Sequence, residues 1–186
     1  KFIKLSRKYD NKEILLISGS RKKKNFEVST ILNEIQKDIK FGVAYNPYFI
    51  KKDDISIERE NLIKKINSGL VNSIWLQFGS NHKTLCKEIE FIKKIISNKS
   101  NIFKNDIRLY GSVFIPSKQF LARFKFRPWR GVFLSNDFLN SLEYSCLTTK
   151  EIYKIYCQNN ITPLIETECS NIKQFNQVEN LLEDDF

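Results

Sequence analysis

Short apolar runs alternate with helical patterns along almost the whole chain. Each run is rich in β-branched or aromatic residues and lacks a strict alternation of apolar and polar positions, which is typical of strands that are buried on both faces. The pattern therefore predicts five β-strands, at Ile14–Ser18, Phe41–Tyr45, Ser73–Phe78, Ile107–Ile115 and Ile161–Glu166.

The segments between these runs predict helices. Apolar residues recur at helical spacing between the first two strands and between the third and the fourth. Before the third strand, Gly69 follows a helical pattern over Glu58–Ser68, and glycine is the usual residue just beyond a helix C-terminus. Two further short helices are predicted within Asp137–Asn159, and a closing helix over Ile172–Glu183.

Strands and helices that alternate with roughly 30 residues per unit are typical of parallel βαβ units. We count five units with no linker between them, which predicts one α/β domain over residues 1–186. Two architectures fit this pattern: five consecutive units of a (β/α)8 TIM barrel, or a five-stranded doubly wound parallel sheet. A complete barrel needs about 250 residues, so the barrel interpretation requires further units before Lys1. The pattern alone does not choose between them.

Composition narrows the class of protein. The 186 residues are 41% hydrophobic and 28% charged, which is typical of a soluble globular chain. No apolar run approaches the roughly 18 residues of a membrane span, and no secretory signal is visible. The four cysteines lack CxxC spacing and His82 is the only histidine, so we expect no metal site and a reduced, cytoplasmic setting. Methionine is absent even at position 1, so we expect the translated product to be longer.

The formal net charge of +10 leaves binding to nucleic acid or phosphate open. The strongest such signal is Lys118–Arg130, in which five basic residues alternate with aromatic ones. This mixture is typical of single-stranded nucleic-acid platforms. It also arises where aromatic side chains pack inside the protein and the charges face water. We favour packing, because no nucleic-acid-binding motif accompanies the segment.

Three segments at or near strand ends carry candidate binding residues. Loops that leave strand C-termini build the active sites of βα folds, and Tyr45–Phe49 (YNPYF) is such a loop. On the next helix Glu58, Asn61 and Lys65 lie within about 60° of one another, where they could bind hydroxyls and a pyrophosphate or form a solvated stripe. Gln77 ends an otherwise apolar strand. Its amide can donate and accept at once, which suits a pterin or pyrimidine edge as well as a neighbouring loop backbone.

The stretch Gly42–Phe78 resembles the second half of a methylenetetrahydrofolate reductase barrel. In that family a strand ending in Ala-Tyr-Pro or Ala-x-Asn-Pro precedes a helix with the pattern L..K.DAGA and a strand with ITQ.FF. The corresponding residues here are Ala44–Pro47, Leu62–Gly69 and Leu76–Phe78. The resemblance continues through residues 110–117 (YGSVFIPS). Two further stretches are similar to a divergent bacterial branch of the family: residues 126–140 (FRPWRGVFLSNDFLN) and residues 163–166 (PLIE). The resemblance covers residues 10–185, which correspond to the fourth through eighth βα units of that barrel.

The resemblance implies a TIM barrel that transfers hydride in one-carbon metabolism. In that family NAD(P)H reduces FAD, which passes hydride to 5,10-methylenetetrahydrofolate. Gln77 matches the glutamine that binds the folate pterin. The positions that match FAD contacts are Gly19, Tyr45, Glu58, Asn61, Lys64 and Lys65.

The family's Arg-Gly-Asp after the fourth strand reads Ser18-Gly19-Ser20 here, which puts Ser20 at the position of the aspartate. The family's general-acid glutamate lies in earlier strands, so the resemblance identifies no catalytic residue in this chain. Three functions stay open: the reductase, which we favour; a folate- or flavin-binding homologue without reductase activity; and a basic nucleic-acid-binding protein. We expect a folate as partner and no membrane association, and we leave a homo-oligomer open.

Overall fold

The computed structural model describes residues 5–6, 8–11, 13–17, 27–34, 40–98 and 107–183. Five strands form one sheet, in which every neighbouring pair is parallel and the strands follow one another in chain order. They are β1 (Glu13–Leu16), β2 (Lys40–Tyr45), β3 (Val71–Leu76), β4 (Arg108–Phe114) and β5 (Thr162–Glu166). The predicted α/β class with five parallel strands is confirmed. The described strands form an open sheet and do not close into a barrel.

Seven helices are described between and after these strands. They are α1 (Val28–Glu34), α2 (Lys52–Asn67), α3 (His82–Asn98), α4 (Lys118–Phe126), α5 (Asn136–Asn140), α6 (Leu142–Gln158) and α7 (Ile172–Glu183). Among the described residues, no helix combines the length and the apolar character that crossing a bilayer requires.

Local sequence signals explain several helix ends. Serine hydroxyls at positions 117, 135 and 141 accept from the backbone N–H three residues later, which stabilises the starts of α4, α5 and α6. At the end of α2, Gly69 has φ +72° and its N–H donates to the carbonyl of Ile66. Only glycine adopts this left-handed conformation without steric cost, so the predicted helix end is confirmed.

One face of the sheet is apolar, and α2, α3 and α6 pack against it. Val43, Tyr45 and Ile74 project from this face and are fully buried, together with Leu62 of α2 and Ile92 of α3. The central strands are mostly buried along their length, as the apolar runs predicted. The outer strands β1 and β5 are more exposed, because each has a neighbouring strand on one side only among the described residues. Pro163 is tolerated in β5 because an outer strand can do without one backbone donor.

Two tyrosine rings pack directly against glycines, one in β4 and one just after β3. A Cβ built at Gly111 of β4 would lie 2.4 Å from ring atoms of Tyr156, and one built at Gly79 would lie 2.4 Å from the ring of Tyr48. Real carbon atoms do not approach so closely, so only glycine fits at either position without rearrangement. Burial raises the pKa of both phenols, which therefore stay protonated.

The connection between β4 and α6 (residues 115–141) is unusually long for a βα loop and has its own small core. Its helices α4 and α5 place Phe120, Phe124 and Phe138 against Phe78 and Phe114. The short helix predicted near position 137 is confirmed as α5. The second helix of that region is longer than predicted, because α6 runs for 17 residues and supplies the crossover from β4 to β5.

Candidate functional site

All five strands are parallel, so their carboxyl ends meet at one edge of the sheet. In βα folds the loops at this edge build the binding site. The predicted loop after β2 and Gln77 after β3 both lie there. We therefore describe this edge as the candidate site.

Asn46 connects three parts of the candidate site. Its backbone N–H donates to Glu58 Oε1 of α2 at 3.1 Å, and its Oδ1 accepts from the N–H of Tyr48 at 3.0 Å. Its Nδ2 donates to the carbonyl of Gly131 at 2.8 Å. The loop after β2 is thereby attached both to α2 and to the β4–α6 connection.

The β4–α6 connection is also attached to the loop after β3. Phe133 forms an isolated parallel bridge with Gly79, and its carbonyl accepts from the N–H of Ser80 at 3.3 Å. Ser80 in turn accepts through its Oγ from the N–H of Ser135 at 2.8 Å. The connection therefore starts at β4, passes the end of β3 and reaches the end of β2.

Gln77 follows β3 directly and its side chain is exposed. Its backbone N–H donates to the carbonyl of Tyr45 at 2.9 Å, which extends the pairing of β2 and β3 by one residue. Its Oε1 accepts from the N–H of Phe78 at 3.0 Å. The side-chain NH2 group has no partner among the described residues, so it is available as a donor.

An aromatic pair lies on the sheet face opposite α2, α3 and α6. The rings of Trp75 and Tyr110 stack with their centroids 4.6 Å apart and an interplanar angle of 27°. Both residues are half-buried. Trp75 Nε1 donates to Ser73 Oγ at 2.8 Å, and both side chains lie over Gly42 of the neighbouring strand. Toward the amino ends of the strands, this face is closed by Glu13, which accepts from Ser73 and from Arg108.

Glu166 places a carboxylate on the same face at the carboxyl end of β5. It accepts from Ser112 Oγ, and Ser112 follows Tyr110 by two positions in β4, so these side chains share a face. Glu166 is exposed and keeps further acceptor capacity. A carboxylate and an amide donor beside an aromatic surface can together hold a flat heterocycle that has N–H and C=O groups along one edge. Sequence reasoning missed Glu166, although it ends an apolar strand just as Gln77 does.

The side chain of Tyr45 is fully buried on the helix side of the sheet. Its hydroxyl donates to Glu88 of α3, and the same carboxylate accepts from Arg59 of α2 through Nε at 3.0 Å and Nη2 at 2.6 Å. Burial and the neighbouring Glu88 carboxylate raise the pKa of Tyr45. Tyr45 thus joins β2 to two helices through a buried polar cluster that sequence reasoning missed.

The other predicted FAD contacts lie on α2. Glu58 binds the backbone of Asn46, as described above, and Lys65 Nζ donates to the carbonyl of Ala44 at 3.1 Å. Both side chains therefore hold the loop and the end of β2 against α2. Asn61 is half-buried, and Lys64 is exposed to solvent. Gly19 and Ser20 lie outside the described residues.

The aromatic residues of Lys118–Arg130 mostly pack inside the protein. Phe120 and Phe124 are 1% and 4% exposed, and the ring of Trp129 contacts both of them. The exception is Phe126, which is 92% exposed. Packing of the aromatics with outward charges, which we favoured, describes the helical part of the segment. The loop after it keeps exposed cations.

A cavity of about 370 Å³ lies beside the candidate site, between α6, α7 and the ends of β4 and β5. Apolar residues such as Leu142 and Val178 line it together with Cys146 and Cys169. Burial raises the pKa of Cys146, which favours the unreactive thiol over the thiolate. Among the described residues no group of three His, Cys, Asp or Glu side chains could hold a metal ion.

Comparison with known proteins finds similarity among solved structures. No model of a known protein family matches the chain, and no curated protein matches it. A solved structure with the same fold is an uncharacterized protein from Clostridium thermocellum that binds two copies of 5-methyl-5,6,7,8-tetrahydrofolic acid. The two chains are 16% identical with a TM-score of 0.54, and the match covers 84% of this chain and 56% of the other. This chain therefore spans little more than half the length of a folate-binding protein whose α/β fold it shares.

Proposed function

We propose that this protein binds a reduced folate at the carboxyl edge of β3, β4 and β5. The observation that carries the proposal is that the unpaired NH2 group of Gln77 and the carboxylate of Glu166 both lie beyond the Trp75–Tyr110 stack, toward the carboxyl edge of the sheet. Folate binding by the protein of similar fold supports the same ligand class. Gln77 is also the residue that family resemblance assigns to the pterin.

The chemistry of a pterin matches these groups. Its pyrimidine edge carries an amino group and a ring N–H side by side, followed by a carbonyl. In the proposed complex Glu166 accepts from the two N–H groups, and Gln77 donates to the carbonyl or a ring nitrogen. The pterin ring packs on the half-buried aromatic pair, where offset stacking contributes about 0.5–1.5 kcal/mol beyond burial of area.

The strand order supports the barrel as the wider architecture. Sequential parallel strands are the arrangement within a (β/α)8 barrel, whereas doubly wound sheets reverse their strand order at a switch point. In a barrel the face carrying Trp75 and Tyr110 would point inward, and the carboxyl edge would be the mouth. This supports placing the ligand at that edge.

Reductase activity with FAD and NAD(P)H stays a prediction from the family resemblance. Tyr45, Glu58 and Lys65 each have a partner within the protein in the structure, so their geometry adds no support for a flavin there. The visible spectrum of the purified protein tests the flavin directly. Oxidation of NAD(P)H that depends on methylenetetrahydrofolate tests the reaction.

Gln77→Leu is expected to weaken binding of 5-methyltetrahydrofolate by about 1–3 kcal/mol, because a buried polar group of the ligand loses its partner. Gln77→Glu should also bind more weakly, since a carboxylate supplies acceptors where the amide supplies a donor. Isothermal titration calorimetry measures both constants. Gln158→Leu, at the end of α6 beside the opposite edge of the sheet, is the matched control and should bind as the wild type does. Equal affinity in all four proteins would show that Gln77 has no contact with the ligand.

Glu166→Gln is expected to reduce folate affinity by about 1.5–3 kcal/mol, the range for a hydrogen bond to a charged group. The carboxamide can accept from one N–H of the pterin edge but presents a donor to the other. This loss of affinity should disappear when the ligand is a folate analogue that lacks the amino group of the pterin. A loss that is the same for both ligands would contradict recognition of the amino group by Glu166.

A further inference from the structure

We infer that Arg127 and Arg130 form an anion-binding rim that holds the carboxylates of the ligand's tail, which makes the ligand class a flat heterocycle joined to an anionic chain. The inference rests on the proposed function, because it concerns the same site. It adds the second half of the ligand and the residues that recognise it. Both arginines lie in the loop that follows α4 within the β4–α6 connection.

A hydrogen bond of this loop places the backbone of Arg130 close to the proposed heterocycle site. Arg130 precedes Gly131, whose carbonyl accepts from Asn46 Nδ2 at 2.8 Å. Tyr45 pairs with Leu76, and the N–H of Gln77 continues that pairing, so Asn46 lies beside Gln77 across the two strands. Arg130 therefore precedes a residue that hydrogen-bonds to Asn46, and Asn46 is the neighbour of Gln77 on the adjacent strand.

Among the arginines that the structure describes, Arg127 and Arg130 differ from the others in their lack of an ion pair. Arg59, Arg108 and Arg123 each form an ion pair with a glutamate. Arg127 and Arg130 are exposed, and their guanidinium groups have no hydrogen-bonding or ionic partner in the described part of the chain. A guanidinium without a partner presents a planar set of donors that fits a carboxylate in bidentate geometry.

Aromatic residues beside these arginines explain why a loop can hold them in place. Trp129, between Arg127 and Arg130, is 44% exposed and packs edge-on against Phe114 at 5.7 Å and Phe120 at 5.4 Å. The backbone N–H of Arg127 donates to the carbonyl of Arg123 at 2.8 Å, which closes the end of α4. The loop is therefore anchored at both ends of the arginine pair, which lowers the entropy lost when an anion binds.

The proposed ligand has one group for the heterocycle site and another for the two arginines. Tetrahydrofolate carries a glutamate with two carboxylates at the end opposite the pterin. With the pterin at Gln77 and Glu166, the tail extends along the β4–α6 connection, and its carboxylates contact the two guanidinium groups. The positive net charge of the chain attracts such a ligand from solution.

The experiment compares two ligands in the full chain. One is 5-methyltetrahydrofolate and the other is a tetrahydropterin fragment without the glutamate tail. Wild-type protein should bind the complete ligand at least about 10-fold more tightly than the fragment, and this preference should shrink as salt is raised. Arg127→Ala/Arg130→Ala should lose about 10- to 100-fold in affinity for the complete ligand and bind the fragment as before.

Lys87→Ala/Lys94→Ala removes the same charge from the exposed side of α3 and is the matched control, with no expected change. If wild type binds both ligands equally and the arginine variant does the same, the rim is refuted while folate binding stands. If wild type binds neither ligand, the proposed function fails together with the rim. Sub-micromolar binding of a single-stranded oligonucleotide that needs the two arginines, without preference for the tail, would also overturn the inference in favour of nucleic acid.

Discussion

Gly111→Ala is expected to lower the free energy of unfolding by about 3 kcal/mol or more, at the upper end of the cost of overpacking a core. The added Cβ would lie 2.4 Å from Cε2 and Cζ of Tyr156. That ring is fully buried between the sheet and α6, so it cannot swing away without opening the core. Urea denaturation followed by circular dichroism measures the change.

Two variants show whether the loss comes from this contact. Ser112→Ala, one position further along β4, removes a hydroxyl on the opposite face and should cost about 1 kcal/mol at most. Gly111→Ala/Tyr156→Leu replaces the ring with a smaller side chain and should be more stable than the sum of the two single changes predicts. Wild-type stability of Gly111→Ala would mean that Tyr156 does not pack on the strand as described.

Arg59→Ala is expected to destabilise the protein by about 2–4 kcal/mol. Glu88 is 2% exposed, and Arg59 supplies two of its hydrogen bonds, so the variant leaves a buried carboxylate with Tyr45 as its remaining donor among the described residues. Loss of one partner of a buried ion pair costs about 3–5 kcal/mol, and we expect less here because Arg59 is 38% exposed and water can take its place. Chemical denaturation of the purified variant gives the value.

The hydroxyl of Tyr45 belongs to the same cluster, so Tyr45→Phe should cost about 1–2 kcal/mol of stability. The double variant with Arg59→Ala should be less stable than the two single losses together predict, because Glu88 then keeps no described donor. Folate affinity of the folded variant should be unchanged. A variant of unchanged stability that loses bound flavin would instead support the cofactor role that family resemblance assigns to Tyr45.

Strand and helix positions were largely predictable from the sequence, because apolar runs and helical spacing report local burial. The runs near Ile74 and Val113 predicted strands that the structure contains, and Gly69 marked the end of α2. Gln77 was predictable as a strand-end polar residue, since a parallel strand places it at the carboxyl edge. Parallel pairing of all five strands followed from the alternation of strands with helices.

Side-chain direction was not predictable at Tyr45. A shift of one residue moves a strand side chain to the other face of the sheet. The sequence therefore does not show on which side of the sheet a residue near a strand end lies. Tyr45 lies in the core with Glu88, whereas Gln77 lies in solvent. The burial of Glu88 was also not predictable, because a carboxylate in a helix is expected at the surface until its buried partners are known.

The sequence by itself determined the class of the fold, the order of its strands and helices, and the polar residues that end them. Only the tertiary structure decided which of these residues meet. It brings Glu166 to the face of Trp75, and it carries the β4–α6 connection from β4 back to Asn46, where Gly131 accepts a hydrogen bond. The physical reason is that strand identity depends on local periodicity, whereas these contacts depend on strand register and on the path of a long loop. Neither leaves a periodic signal in the chain.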